Sequence, residues 1–212
     1  MKKGLIIASG NIENIESLRE QISSHEYIIC ADGGIRYIYD MNIRVDAIIG
    51  DLDSVDDKFP EFIKENNIPI IKFPVDKNET DTELAIEHLI KKGCNFITLM
   101  GAIGSRMDHT LANILLLKKL TSNNIHGQII DDNNRIVLLD KHLRLKRKIN
   151  HYVSIIPVTT SGIIVSLEGF YYNLENDYIE SGSTLGISNK IVDEVGEITI
   201  KKGQALVIES RD

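Results

Sequence analysis

Four short segments of this 212-residue chain carry carboxylates beside glycines or hydroxyls: Ala31-Asp32-Gly33-Gly34, Gly50-Asp51-Leu52-Asp53-Ser54, Thr80-Asp81-Thr82-Glu83 and Gly101-Ala102-Ile103-Gly104-Ser105-Arg106-Met107-Asp108-His109. Carboxylates brought together repel one another unless protonated or bridged by a cation. Hard oxygen ligands suit magnesium, which keeps several waters and joins one or two carboxylates to substrate phosphates. Glycine turns that open helices, such as Gly33-Gly34 and Gly101 to Gly104, offer backbone N–H groups to an anion. Arg106 adds a planar fork suited to phosphate oxygens. Together these residue types point to metal-assisted transfer from a nucleotide.

Each residue also has a structural use. Asp32 can cap a helix beginning at Gly33. Asp51 and Asp53 can be turn residues. Thr80 and Asp81 can serve as N-cap and first-turn residues of the helix that follows. Asp108 can cap a helix over His109–Leu120, with His109 an ordinary first-turn side chain. Ser188-Asn189 reads on residue chemistry alone as a plain turn.

The elements that must position these residues follow from periodicity. Short apolar runs at Gly4–Ala8, Tyr27–Ala31, Ala47–Gly50, Ile68–Phe73, Phe96–Met100 and Gly127–Ile130 predict buried strands. Helical spacing fills Ile12–Ile22, Thr82–Lys92 and His109–Leu120. Strand alternating with helix predicts an α/β fold, a parallel-sheet Rossmann-like N-terminal domain over residues 1–140. In such a sheet ligands bind beyond the carboxyl ends of the strands, where the carboxylate loops fall. From Lys141 the texture changes to short β-branched runs at Val153–Ile156, Ile163–Leu167, Tyr178–Glu180, Lys190–Val195, Glu197–Lys201 and Ala205–Glu209. These predict a small all-β sandwich over residues 141–212. A block of about 70 residues has little core of its own and is expected to lean on the first domain or on another chain. The basic run Lys141–Lys148 reads as a solvated connector.

Charge is uneven. Residues 1–140 hold 15 Lys and Arg against 22 Asp and Glu, whereas residues 141–212 hold 9 of each. The chain's net charge of −7 argues against nucleic acid as a partner. No apolar run approaches the roughly 20 residues of a membrane span. The N-terminal Leu5–Ala8 stretch reads as a first strand rather than a leader. Cys30 and Cys94 lack metal-ligand spacing and sit in or beside apolar strands, which fits reduced thiols in a cytoplasmic protein.

In their order along the chain, the four carboxylate segments resemble the thiamine pyrophosphokinase family. The β block resembles that family's thiamine-binding domain through Glu168-Gly169-Phe170-Tyr171-Tyr172-Asn173-Leu174 and Gly186-Ile187-Ser188-Asn189. The resemblance implies transfer of the pyrophosphoryl group of ATP to the hydroxyl of thiamine, giving thiamine diphosphate and AMP. It implies magnesium held by Asp51, Asp53 and Asp81, with Asp32 nearby at the nucleotide. Asp32, Asp51, Asp53, Asp81 and Arg106 are the expected catalytic residues, and Gly33, Gly34, Thr80, Gly101, Gly104 and His109 are expected to bind ligand. Arg106 and Asp108 would hold substrate. A homodimer is implied, in which Ser188 and Asn189 of one chain meet thiamine bound on its neighbour. The chain departs from the family pattern at Asn78, where Asp is common, and at Ser105, where a second glycine often precedes the arginine. With no tryptophan present, aromatic contacts to thiamine fall to Tyr or Phe. Two other readings remain at this point: a haloacid-dehalogenase-like phosphatase with Asp51 as nucleophile, and a non-catalytic nucleotide or thiamine sensor on the same fold.

Overall fold

The structure, a computed structural model, describes residues 1–50, 58–73 and 78–212. The chain divides into two compact units, Met1–Asp132 and Asn133–Asp212.

In the first unit the described strands are β1 (Lys3–Ile7), β2 (Tyr27–Ala31), β3 (Ala47–Ile49), β4 (Ile70–Ile71), β5 (Phe96–Met100) and β6 (His126–Ile130). They lie in the order β4-β3-β2-β1-β5-β6 with every pair parallel. Strand order reverses between β1 and β5, and the crevice outside the carboxyl ends at such a reversal is where open parallel sheets bind ligands. The helices are α1 (Ile15–Ser24), α2 (Ile35–Met41), α3 (Lys58–Glu65), α4 (Asp81–Lys91) and α5 (Met107–Ser122). Leu5 and Ile7 on β1, Cys30 on β2 and Ile48 on β3 pack with Leu18, Ile35, Ile38, Phe59 and Phe62 from α1, α2 and α3. Burial pushes the Cys30 and Cys94 thiols up, away from thiolate chemistry. Local sequence sets the helix starts. Asn14 accepts from Ser17 N–H at 3.0 Å and Thr80 from Glu83 N–H at 3.2 Å, each a cap whose loss costs about 1 kcal/mol. Lys119 on α5 reaches Glu83 and Glu87 on α4 at 2.8 and 2.5 Å, tying together the helices that begin with Asp81 and just after Arg106.

The second unit contains β7 (Asn134–Leu139), β8 (His142–Lys146), β9 (Tyr152–Pro157), β10 (Ile163–Glu168), β11 (Leu174–Ile179), β12 (Val195–Lys202) and β13 (Ala205–Ser210). Its antiparallel ladders run β7-β13-β9 and β11-β10-β12-β8. Alternate residues of both ladders, Val153, Ile155 and Val207 from one and Val165, Leu167, Ile198 and Ile200 from the other, meet Phe170 in one core. This is sandwich packing.

The fold class expected from periodicity is the one observed, with three local corrections. The compact units part after Asp132, so β7 belongs to the second, where it pairs with β13 along its whole length, from Asn134↔Ser210 to Leu139↔Ala205. The basic run is not a connector. It contains β8, paired to β12, with Leu143 and Leu145 alternating between charged side chains that hide the period. Lys190–Val195 is not a strand. It makes only an isolated bridge from Ile191 to Phe170, and β12 begins at Val195. Ile68–Phe73 shrinks to the two residues of β4.

One polar cluster lies inside the first unit. Thr98 on β5 is fully buried, with His25 Nε2 at 2.9 Å and the Gln128 amide donating to its hydroxyl at 3.1 Å. The other His25 nitrogen, Nδ1, sits 2.6 Å from the Gln21 carbonyl. With Nδ1–H donating there, Nε2 accepts from the Thr98 hydroxyl, and the neutral ring satisfies every partner. Burial lowers the His25 pKa, so the fold holds fewer protons than the unfolded chain below the usual imidazole value of about 6.5. His25 therefore contributes stability that is complete above that value and lost as pH falls through the depressed folded pKa. Urea midpoints measured from pH 7.5 down to pH 5 should fall more steeply for the wild type than for His25→Gln. Parallel curves would remove this role.

Candidate functional site

The loops after β1 and β5 touch through their backbones. Gly10 N–H donates to the Gly101 carbonyl at 2.7 Å, and Ala8 N–H to the Met100 carbonyl at 2.8 Å. A Cβ on Gly10 would lie 2.4 Å from the carbonyl oxygens of Gly101 and Ile103. Gly101 has φ +63°, and its Cβ would lie 2.5 Å from the Ala8 oxygen. Only glycine satisfies both positions. Side chains from two helices then hold these loops. Arg36 donates to the carbonyls of Ser9 and Gly10 at 2.9 and 3.0 Å, and the Tyr37 hydroxyl donates to Gly10 at 2.8 Å. On α5, the buried Asn113 amide donates to the Ala102 carbonyl at 2.8 Å, and Thr110 Oγ1 accepts from Gly104 N–H at 3.1 Å. The Asp132 carboxylate, just beyond β6, accepts from the N–H groups of Glu13 and Asn14 at 2.9 and 2.8 Å.

The result is a cleft of about 490 Å³ at the carboxyl edge of the sheet. Asp32, Gly101, Gly104, Arg106 and His109 line it, as do Arg36 and Thr82. Asp32 opens a 3₁₀ turn, Asp32–Gly34, at φ +49° and makes no cap hydrogen bond, so the capping alternative for it falls. Gly34 lies against β1, where a Cβ would sit 2.0 Å from the Ile7 oxygen, and Gly33 stands opposite Ser9. Thr80 is spent as the α4 N-cap. Asp81 is in the first turn of that helix, and a Cβ on Gly50 would be 3.4 Å from both Asp81 Oδ2 and Asp32 Cα. Gly50, at φ +143°, thus stands between the two carboxylate segments and directly precedes Asp51. Asp51 and Asp53, the other expected metal ligands, lie outside the described residues. Among the described residues no group of three His, Cys, Asp or Glu side chains could hold a metal.

Arg106 and Asp108 face one another as a two-point pair, Nη2 to Oδ2 at 2.6 Å and Nε to Oδ1 at 3.3 Å. Both are largely exposed, 70% and 64%. The Arg106 hydrogen bond holds the Asp108 carboxyl down to about 2, and the guanidinium is raised in turn. Asp108 is therefore an anion throughout the neutral range. It is a first-turn residue, not the cap, since α5 starts at Met107 after Arg106. His109 is exposed at the start of the same helix.

The second unit has its own pocket of about 310 Å³, lined by Tyr152, Tyr171, Tyr172, Ser188 and Lys190. Tyr171 and Tyr172 meet edge to face at 4.8 Å and are both about two-thirds exposed, at 68% and 66%. Ser188, at φ +59°, opens onto this pocket. Asn189 does not. It is 6% exposed, and its amide is occupied by Tyr172, donating to the carbonyl at 2.8 Å and accepting from the N–H at 3.1 Å. Asn189 thus positions Tyr172. The tyrosines were not singled out in the sequence beyond the absence of tryptophan, although Tyr171-Tyr172 lies inside a recognised segment. Thr110 and Asn113 carried a weak signal, three residues apart on the helix after the glycine loop. Arg36 and Tyr37 carried none.

Comparison with known proteins agrees across both units. Residues 18–129 match the family model of the thiamin pyrophosphokinase catalytic domain, and residues 141–205 that of the thiamin pyrophosphokinase vitamin B1 binding domain. The thiamine pyrophosphokinase of Bacillus subtilis is 31% identical over 100% of both chains. A crystal structure of the B. subtilis enzyme superposes with a TM-score of 0.92 at 31% identity, covering 100% of each chain. That of the Geobacillus thermodenitrificans enzyme gives 0.82 at 26% identity, covering 100% of this chain and 98% of the other. Neither the phosphatase nor the sensor alternative finds support in these matches.

Asn113 is the buried donor that fixes the glycine loop. Asn113→Ala would strand the Ala102 carbonyl, at a cost of about 1–3 kcal/mol. Chemical denaturation should register that loss, and turnover should drop with it because Arg106 hangs from the same loop. Unchanged stability and turnover would show that the loop holds itself.

Proposed function

The chain belongs to the thiamine pyrophosphokinase family, and from that premise we propose which of its residues perform the family's ATP-dependent transfer of a pyrophosphoryl group to thiamine. The observation that carries the assignment is the meeting of Asp32 and Asp81 around Gly50, at the edge of the cleft that Arg106 also lines. ATP enters this cleft with its phosphates over the glycine loops, Gly33-Gly34 and Gly101 to Gly104. Asp51, Asp53 and Asp81 would hold magnesium, which would supply neutralisation of the phosphate charge. The hard-oxygen chemistry of this set fits that ion. Asn78 adds at most a neutral carbonyl ligand.

The reaction joins the thiamine hydroxyl oxygen to the β-phosphorus and breaks that phosphorus's bond to the oxygen shared with the α-phosphate, releasing AMP. Transition states of this kind are loose, so alignment and charge stabilisation dominate over base strength. Arg106 suits the second task. Its guanidinium is held by one carboxylate, Asp108, at an exposed position, and can exchange that partner for phosphate oxygens. Asp108, an anion at working pH, then remains to meet the cationic thiamine. His109 has no part in this account as a base.

The tyrosine pocket of the second unit supports a ring-binding role, with Ser188 at its wall. We assign the thiamine ring to this pocket on a neighbouring chain, in a homodimer. Exposed apolar side chains support association: Met107, Leu111 and Leu115 along α5, and Leu185, Ile187 and Val192 in the second unit. No described helix is long and apolar enough to cross a membrane. The two free, buried cysteines support a cytoplasmic setting.

Phosphorus NMR of a mixture of protein, magnesium, ATP and thiamine tests the function directly. AMP with thiamine diphosphate is expected; inorganic phosphate alone, or unchanged ATP, would overturn it. In single-turnover form the same assay tests the roles. Arg106→Ala should slow the chemical step more than His109→Ala, which should cost about tenfold or less. A true general base typically contributes about 10²–10⁴, so a thousandfold loss in His109→Ala with a mild Arg106→Ala would make His109 the base.

Assembly has its own test. Asp51→Asn and Tyr172→Ala chains, each inactive alone, should regain part of the wild-type rate when mixed and allowed to exchange. A strictly monomeric active enzyme in sedimentation, or no recovery after proven exchange, would count against the shared site.

A further inference from the structure

A second cavity adjoins the tyrosine pocket. It measures about 490 Å³ and is lined by Arg147, Lys148, His151 and Lys190 among others, with Tyr152 and Lys190 belonging to both spaces. Its charges differ sharply from those of the acidic first unit. Asp212 is the one acidic residue on its wall. Lys148 is committed to Glu209 at 3.0 Å. Arg147 spends one nitrogen, Nη1, on the Val192 carbonyl at 2.8 Å, which fixes the guanidinium and leaves its other N–H groups to a ligand. Lys190 Nζ stands 4.6 Å from the centre of the Tyr152 ring. Among the described residues it meets no carboxylate.

The pairing of the two spaces is informative. A flat ring stacked among Tyr152, Tyr171 and Tyr172 and carrying an anionic tail would pass its tail by Lys190 toward Arg147. Unphosphorylated thiamine is a cation with a neutral hydroxyl and gains nothing from such a cleft. The phosphorylated product has the ring and the negative tail together. We propose that the basic cleft formed by Arg147 and Lys190 beside the tyrosine pocket binds the diphosphate tail of a heteroaromatic phosphate ester, making the second unit a retention site for the reaction's own product. The inference rests on the reading of the tyrosine pocket as the ring site. Its consequence is product inhibition set in the second unit, separate from the metal-dependent phosphate contacts of the first.

Isothermal titration of the full chain in EDTA and low salt tests this, with thiamine, thiamine diphosphate and inorganic pyrophosphate as probes. EDTA removes the phosphate contacts that need magnesium. Thiamine diphosphate should bind more tightly than thiamine, and its advantage should shrink as salt is raised. Lys190→Gln should weaken thiamine diphosphate roughly three- to tenfold, the scale of an exposed charge pair, while cationic thiamine, relieved of a like charge at the pocket wall, binds no more weakly than before. Lys190→Arg should restore it, and the loss should persist in an Arg106→Ala background. Equal binding of thiamine diphosphate to wild type and Lys190→Gln would overturn the proposal, as would an equal loss for thiamine. If thiamine fails to bind while pyrophosphate binds in a Lys190-dependent way, the ring-pocket reading falls and the anion cleft stands.

Discussion

The first unit depends on one close approach, the backbone contact between the loops that leave β1 and β5. Gly10 and Gly101 meet where any side chain would strike a carbonyl oxygen at about 2.4–2.5 Å. The chain ends of two central strands are thereby brought to a single edge, and a cleft opens at the reversal of strand order. Several of the side chains that secure the cleft are aimed at the carbonyls this contact leaves over. Arg36 and Tyr37 take those of the first loop, and Asn113 and Thr110 take those of the second.

Much of this was legible before any coordinates. Near-continuous apolar runs marked β1, β2 and β5 because a sheet covered on both faces leaves little room for polar residues in its strands. The loops that follow them carried their chemistry in plain view. Legibility failed where one signal masked another. In β8 the alternation of Leu143 and Leu145 was hidden beneath basic residues, and the charge was read in place of the period. In Lys190–Val195 the β-branched residues suggested a strand, but Asn189 and Ile191 serve isolated bridges, and the ladder forms only from Val195. Arg36 could not be found at all, because its partners are carbonyls brought near by the fold rather than by spacing.

The second unit separates two adjacent residues that the sequence presents as a pair. Ser188 opens onto the tyrosine pocket, whereas Asn189 turns inward and fastens the backbone of Tyr172 with both ends of its amide. Such an amide is worth more than a single hydrogen bond, since removing it strands a donor and an acceptor together. Loss of Asn189 would therefore act on ligand binding at one remove, through the tyrosine it holds.

The strands that carry the site are unequal in length, and that inequality has a thermodynamic reading. β1, β2 and β5 are five residues each, while β3 has three and the edge strand β4 two. Local opening free energies in a sheet run from near zero at thin edges up to the global value at its centre. The arginine half of the cleft rests on the most cooperative part of the unit. The Gly50 turn, which leaves β3 beside Asp32 and Asp81, rests on the least. A ligand that bridges both adds its binding energy to the weaker side's protection against exchange, so the native ensemble is narrowed most along β3 and β4, and ligation and edge order become one equilibrium.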